Sequence, residues 1–317
     1  MKNILRLIVF LAAIPALVSC YEDYVEDYEY PSMGFALPRQ IRTVVTTDNL
    51  MHIGVSIGGK REVDLNDWGA FTLDETLLAG TPYKMMPEYY FTLDDPSLFR
   101  PRKTNLPVAD VGVVFTDDFF NDPLSLTAYY ALPFRLVGTS IPAPKDSTGY
   151  VSPYGAIMSE KETAIVVIKY ISGYSGVYYR YGRETEYDST GAATGVENVY
   201  ENVDLPLNGT LSLLTQSRDV VRRPGLGNGT DGGLDLDIRK DDSGFTVTAT
   251  GVDGGPAVTV TSCTYKEKGD YFLYGGKTPA PQFELEYSYV KAGMTYSVRE
   301  KLIVRQPAQY DLRVETF

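Results

Sequence analysis

The sequence predicts an all-β protein: an N-terminal immunoglobulin-like β-sandwich followed by a second antiparallel β domain, either a small barrel or a sandwich. No sustained 3.6-residue apolar period occurs in it, whereas alternation of apolar with polar residues recurs throughout, punctuated by turn residues at short intervals. The aromatic content points the same way, with 25 Tyr and 13 Phe against a single Trp, because rings with a polar tip suit half-buried pleated surfaces. At 317 residues, of which 44% are hydrophobic and 22% charged, the chain can bury one or two sizeable cores, and its length favours two domains.

The first 19 residues are not part of that fold. Lys2 and Arg6 precede an apolar run from Leu7 to Leu17, broken by Pro15 and too short to cross a bilayer as a helix. The run ends in Leu17-Val18-Ser19-Cys20, which resembles a lipobox, the signal at which a bacterial secretory precursor is acylated on Cys and cut just before it. Residues 1–19 are therefore read as a lipoprotein signal peptide and Cys20 as the lipidation site; an ordinary signal peptide is the alternative. Three acyl chains, at roughly 0.8 kcal/mol per buried methylene, would hold the protein on a membrane durably. Residues 20–32, in which Tyr21 to Tyr30 alternate carboxylates with aromatics, read as an acidic tether. The acidic pair Glu22-Asp23, just after the lipidated Cys, also resembles the tag that sends lipoproteins of Bacteroidota to the extracellular face of the outer membrane. A spacer facing the periplasm is the alternative reading.

The sandwich is assigned to 33–171. Met51 to Ile57 alternates, with Ile53, Val55 and Ile57 inward and His52, the only His, pointing away from the core. Leu124 to Leu136 alternates over its whole length and reads as one long half-buried strand, placed at an edge or bulge near Pro133. Further strands are expected at Tyr89 to Leu93, Val111 to Phe115 and Ala164 to Tyr170. In the last of these, the unbroken Ile165-Val166-Val167-Ile168 implies burial on both faces. After Tyr170 the composition shifts towards Gly and Thr, and the second domain is assigned to 172–317. Short alternating segments follow at Val177–Tyr181, Val196–Tyr200, Leu211–Leu214, Leu234–Ile238, Phe245–Ala249, Val258–Cys263, Tyr271–Tyr274, Phe283–Tyr289 and Tyr296–Val304, which read as an antiparallel meander. Asn208-Gly209, Asn228-Gly229 and Lys291-Ala292-Gly293 supply turn chemistry, and the Asn-x-Thr frames at Asn208 and Asn228 are read as turns.

Charge and cysteine count exclude several functions. Twenty-nine Lys and Arg against 41 Asp and Glu leave a formal net charge of -12, which repels phosphate backbones, so nucleic acid is not an expected partner. With Cys20 acylated, Cys263 has no partner for a disulfide and reads as a small buried thiol.

Several segments together, Ile57-Gly58-Gly59-Lys60-Arg61-Glu62, Tyr83 to Tyr90, Asn121 to Leu126, Ala131 to Leu136 and Val166 to Tyr170, resemble a secreted Bacteroidota domain of unknown function. That domain sits at the N-terminus of surface lipoproteins encoded with glycan-uptake systems and in front of some family-18 endoglycosidases. The resemblance covers roughly the first half of the chain. It implies an accessory module working beside transporter components, and no catalytic residue comes with it.

Catalytic and metal patterns fail on chemistry. Gly54-Val55-Ser56-Ile57-Gly58 fits a nucleophile elbow, but the pattern lies in continuing strand and no His follows it as base. One His and one free Cys cannot build a zinc site. Asp231, Asp235 and Asp237 begin like a calcium loop, yet Arg239 stands where a further oxygen ligand belongs. Pairs drawn from Asp94, Asp95, Asp117, Asp118, Glu184 and Glu186 are expected by chance in so acidic a chain. No cofactor is implied. The remaining signal is aromatic. Tyr174, Tyr178, Tyr179, Tyr181 and Tyr187 crowd the start of the second domain with Arg180 and Arg183, and alternation sets Tyr178 and Arg180 on one face, Val177, Tyr179 and Tyr181 on the other. An outward face of Tyr and Arg would stack on sugar rings and donate hydrogen bonds to hydroxyls or uronate carboxylates, so Tyr174, Tyr178, Arg180 and Arg183 are candidate ligand-binding residues; packing alone is the alternative. Trp68, beside Asn66 and Asp67, is a further candidate. The expected function is non-catalytic glycan binding at the cell surface as part of a polysaccharide-utilisation system. A structural or adhesive role towards a protein partner is the second reading and glycoside hydrolysis the third.

Overall fold

A computed structural model describes residues 31–60, 62–145, 155–272, 276, 278–305 and 308–317. The signal peptide, Cys20 and all but the last two residues of the acidic tether lie outside them. In the first half the strands are β1 (Ser32–Gly34), β2 (Arg39–Val45), β3 (Leu50–Gly58), β4 (Gly69–Leu73), β5 (Lys84–Met85), β6 (Phe91–Leu93), β7 (Leu98–Pro101), β8 (Val108–Phe115), β9 (Tyr130–Thr139) and β10 (Thr163–Ile171). One layer runs β1-β3-β8-β7 and the other β4-β9-β10-β2, with β7 bonded to both β8 and β4. Three of the second layer's strands in that order, set against the first layer, are the CFG and ABED arrangement of an immunoglobulin-type sandwich. β2 runs parallel to β10 and completes the second layer.

The local chemistry explains these strands. In β3 the residues Met51, Ile53, Val55 and Ile57 are buried while His52 stays exposed and bonds Asp110 through Nδ1 at 3.0 Å. Ile165 to Ile168 are all buried, because β10 packs Val166 and Ile168 into the sandwich interior and Ile165 and Val167 against a smaller cluster with Leu78 and Ala131. Between the layers lie Phe35, Phe71, Phe99 and Phe134, with ring centroids 4.5 Å apart for Phe71 and Phe99.

One expected strand is corrected. Leu124 to Leu126 belong to a 3-10 turn, Pro123–Leu126, opened by Asp122 accepting from Leu124 N, and the strand begins only at Tyr130. Alternation alone could not register that Asx-type cap. Nor does Pro133 mark an edge, since β9 lies between β10 and the pair β4 and β5. The proline falls where the partner changes from β4, paired up to Phe134, to β5, paired up to Ala131. Its missing N–H therefore breaks no ladder bond.

The second half contributes β11 (Gly176–Tyr187), β12 (Ala193–Tyr200), β13 (Thr210–Thr215), β14 (Val220–Pro224), β15 (Gly233–Asp241), β16 (Gly244–Gly251), β17 (Val258–Lys266), β18 (Gln282–Lys291) and β19 (Met294–Val304). They pair antiparallel in the order β16-β15-β14-β13-β11-β19-β18-β17, with β12 added beside the far half of β11. The two end strands, β16 and β17, are neighbours in the chain, and Gly251 lies against Val258, so the meander curls into a nearly closed up-and-down barrel. Of the expected Tyr271–Tyr274 strand, Phe272 makes an isolated bridge to Pro279 and residues 273–274 lie outside the described residues. The last strand, β20 (Glu315–Thr316), leaves the barrel and pairs with β2, so the far end of the chain covers a sandwich edge.

This topology sets the direction of the molecule. The chain enters at Ser32, which pairs with Gly58, whereas the barrel docks at the opposite end of β3 and β8. There Gly173 N donates to Thr46 Oγ1, Arg218 pairs with Asp117, and the same guanidinium lies over the Phe120 ring. The sandwich thus separates the barrel from the entry point by the length of β3, roughly 25 Å.

Candidate glycan-binding site

The barrel interior changes character along its axis. Nearest the sandwich it is apolar, with Tyr174, Phe245, Tyr265, Tyr178 and Phe283 in mutual edge or tilted contact. Burial there pushes the Cys263 thiol up to about 12. Towards the other end the inward positions of β11, β14 and β19 carry Arg180, Glu184, Arg223 and Glu300. Glu300 is 1% exposed and accepts from Arg223 through Nε at 2.8 Å and Nη2 at 3.1 Å, from Arg180 at 3.3 Å, and from Tyr287 and Tyr200 hydroxyls at 3.3 and 3.4 Å. Burial alone would raise its carboxyl, but the guanidiniums of Arg223 and Arg180 outweigh that and hold it below the ordinary carboxylate range. The phenol of Tyr287 moves the other way, raised by burial and by the Glu300 charge.

The loop between β14 and β15 closes this end. Arg223 donates to the carbonyls of Pro224, Gly225 and Gly227, and Arg180 also donates to Gly227 O. Gly227 has φ +50 and presses on Glu184 so closely that a Cβ would overlap the Glu184 carboxylate. Only glycine fits there. Glu184, 3% exposed, accepts from Tyr289 OH at 2.5 Å, Asn198 Nδ2 at 2.8 Å and Asn228 N at 3.3 Å.

Above these groups opens a polar cleft of about 520 Å³, lined by Asn198, Tyr200, Glu201, Asn202, Asn208 and Asn228 together with Val199 and Leu207. Tyr200 is its buried base, and the Arg180 guanidinium stacks 4.2 Å from that ring. Asn202 and Asn208 shape the rim, since Asn208 Oδ1 accepts from Asn202 N, Asn208 Nδ2 donates to Asn202 O, and Asn202 Oδ1 accepts from Asp204 N. Gly209, at φ +80, ends the 3-10 turn Leu205–Asn208 that carries Asn208. The remaining polar atoms, Asn198 Oδ1, Asn202 Nδ2 and Asn228 Nδ2, have no partner among the described residues. Across the 202–208 loop lies a second, more apolar cleft of about 390 Å³, where Tyr179, Tyr271 and Phe272 face Val203, Leu205 and Pro206. Phe272 is 60% and Val203 88% exposed.

The sequence candidates fall in three places. Tyr178 is corrected: it is 2% exposed, its hydroxyl donates to Tyr174 O at 2.6 Å, and it fills the apolar half of the barrel rather than meeting a ligand. Tyr174 is half-buried beside it, its hydroxyl raised by burial. Arg180 and Arg183 touch residues that line the cleft, Asn228 and Tyr200 for Arg180 and Glu201 for Arg183, but do not line it themselves, and neither guanidinium is free for a ligand. Arg180 is held by Glu300, Gly227 O and Asn228 Oδ1, and Arg183 forks onto Glu201 at 2.9 and 2.6 Å. Trp68 lies in the sandwich, half-buried over Gly138, and is not brought to the barrel. The inward face of β11 is thus the Tyr178 and Arg180 face, and the outward one carries Tyr179, Tyr181 and Arg183. The carboxylates of the would-be calcium loop meet cations instead: Asp231 meets Lys291, Asp235 Arg222 and Asp237 Arg239. The amides missed by sequence reasoning had a signal, the repeated Asn-Gly-Thr frame at Asn208 and Asn228, both of which line the cleft.

No family description and no curated protein matches this sequence. Among solved structures, a protein of unknown function from Bacteroides ovatus superposes with a TM-score of 0.58 at 18% identity, covering 92% of this chain and 98% of that one. A second protein of unknown function from the same organism gives 0.43 at 13% identity, covering 90% and 100% of the two chains. A multidomain protein including DUF1735, also from Bacteroides ovatus, gives 0.42 at 12% identity over 90% and 100%. The first shows that this chain shares its two-part β architecture with a Bacteroides protein, and what it shows is the fold alone.

Proposed function

We propose that this chain is a non-catalytic glycan-binding lipoprotein of the outer cell surface, working beside the transporter components of a polysaccharide-utilisation system. The observation that carries the reading is the pairing of two clefts across the 202–208 loop: one offers unpartnered amides over an aromatic base, the other exposed rings. Sugars present hydroxyls together with flat C–H faces, so a binder needs hydrogen-bond replacements for lost water and a ring on which to stack. The direction of the molecule supports display. Asn198 pairs opposite Glu184, which lies roughly 20 Å along β11 from the sandwich, and the sandwich lies between the barrel and the tether. Acylation at Cys20 would then present the polar cleft away from the membrane.

A glycan array probed with the mature protein tests this, followed by Phe272→Ala and Asn202→Ala on any hit. Each is expected to weaken binding several-fold to about ten-fold, the scale of one stacking ring or one hydrogen bond. Release of reducing ends from a bound polysaccharide would contradict the non-catalytic part. A second reading is favoured by the exposed Val196, Val199, Val203 and Leu207, the last two 88% and 70% exposed: a protein partner docking on the 196–207 segment. Binding of no glycan by the array would bring that reading forward.

A further inference from the structure

Buried charges set which atoms the cleft amides show to a ligand. Glu184 has no cationic partner within ion-pair distance among the described residues, and its Oε2 holds Asn198 Nδ2 at 2.8 Å. That bond turns Asn198 so that Oδ1, an acceptor, is the atom left open. Asn228 is set the opposite way: Arg180 Nη1 donates to its Oδ1 at 3.2 Å, leaving the Nδ2 donor. Asn202 follows Asn228, because its Oδ1 takes the Asp204 N–H at 2.8 Å. A ligand spanning these groups must therefore both donate and accept. Hydroxyl and acetamido groups do both, whereas carboxylates and sulfates only accept.

The local charge acts in the same direction. Neither Lys nor Arg lines the cleft, while Glu201 lines it and Glu184 lies beneath. The nearest guanidinium at the rim, Arg183, is forked onto Glu201 at 2.9 and 2.6 Å. An anionic sugar entering here would meet carboxylates with no open cation to replace its hydration.

We propose that this cleft selects neutral glycans and rejects uronate-bearing or sulfated ones, with Glu184 and Arg180 as positioning residues that fix the amides. The proposal rests on the glycan-binding reading above. It also replaces the sequence expectation that Arg180 and Arg183 would themselves donate to sugar hydroxyls or uronate carboxylates.

The test is calorimetry on the mature protein with neutral probes (cello-, xylo-, manno- and N-acetylchito-oligosaccharides) and anionic probes (oligogalacturonate and heparin oligosaccharides). At least one neutral probe is expected to bind, and every anionic probe at least ten-fold more weakly. Asn228→Asp keeps the acceptor for Arg180 but removes the donor, and should weaken the neutral ligand about ten-fold. Glu201→Gln releases Arg183 and removes a carboxylate, so the ratio of anionic to neutral affinity should rise about ten-fold. Glu184→Gln should raise the same ratio, because it removes the carboxylate beneath the cleft while its amide oxygen can still accept from Asn198 and Asn228 N; a purely structural role would weaken both classes alike. An anionic probe binding the parent as tightly as the best neutral one, or a ratio unmoved by both Glu201→Gln and Glu184→Gln, overturns the selectivity and leaves glycan binding standing. Binding of neither class removes both.

Discussion

Sandwich and barrel fill their interiors by different means, although both are mainly antiparallel β structures of similar length. In the sandwich the space between the layers is apolar and largely aromatic: Phe35, Phe71, Phe99 and Phe134 are each 3% exposed or less. The barrel matches this only in the half that faces the sandwich. Its other half buries Arg223, Glu184 and Glu300 and half-buries Arg180, with Arg223 and Glu300 each at 1% exposure. Apolar filling tolerates any close-packed shape, whereas a buried ion pair holds only if each polar atom finds its partner. The barrel meets that demand at Arg223 by folding the glycine-rich 225–232 loop onto its guanidinium, while Arg180 keeps a buried Nε without a partner among the described residues; Arg180 and Glu184 then fix the cleft amides. The charged end is therefore where a site can be built, and the aromatic end of each unit is what holds it in place.

Breaking either interior should cost most. Phe99→Ala is expected to destabilise by about 3–5 kcal/mol through lost burial and a cavity. Glu300→Ala should cost a similar amount, about 3–5 kcal/mol, because it strands Arg223 without its counter-charge. The two are told apart by the paired change Arg223→Met with Glu300→Leu, measured by urea unfolding. It should recover part of the Glu300→Ala loss, though not all, since the carbonyls of Pro224 and Gly225 lose their Arg223 donor. A double variant no more stable than Glu300→Ala would show that the hydrogen bonds to the loop, and not the charge pair, dominate this end.

Acid sharpens the same contrast. The folded carboxyl of Glu300 lies below its ordinary value of 4.5, so its contribution is complete above that pH and is lost as pH falls through the depressed folded value. Asp94 adds to this in the sandwich: burial would raise it, but Arg102 and the Gly112 N–H hold it down. Thermal melts of the parent between pH 7 and 3 should show stability falling below about pH 4.5. The fall should be smaller in the Arg223→Met, Glu300→Leu pair.

Backbone effects come next. Gly182 lies on β11 at φ +153, where a Cβ would collide with the Arg299 carbonyl. Gly182→Ala should destabilise by about 1–3 kcal/mol by shifting β11 from β19. The smallest change has the opposite sign. Ala292 holds φ +51 in the turn between β18 and β19, and Ala292→Gly should stabilise by up to about 1 kcal/mol in a thermal melt.

What the sequence made legible follows the same division. Alternation in Met51 to Ile57 and the unbroken Ile165 to Ile168 pointed to the sandwich, because apolar burial leaves its period in the chain. β14 carried no such mark: Val220-Val221-Arg222-Arg223 does not alternate, since the inward residue after Val221 is an arginine held by a glutamate 77 positions away. Pattern also placed Tyr178 and Arg180 on one face, but nothing local distinguishes an inward face lined with Arg and Glu from an outward one. The cleft was invisible for a related reason. Its amides come from 198–208 and from Asn228, joined only when β12 and the 225–232 loop close over Glu184.

The central claim, that the amide cleft beyond the charged end of the barrel is where a glycan sits, is tested most directly by a crystal structure with the best neutral oligosaccharide from the array. The account predicts a sugar ring within hydrogen-bond distance of Asn198 Oδ1, Asn202 Nδ2 and Asn228 Nδ2, with neighbouring units reaching over the 202–208 loop towards Phe272. A sugar seated instead on Trp68 or against Tyr174, with the cleft amides untouched, would contradict it.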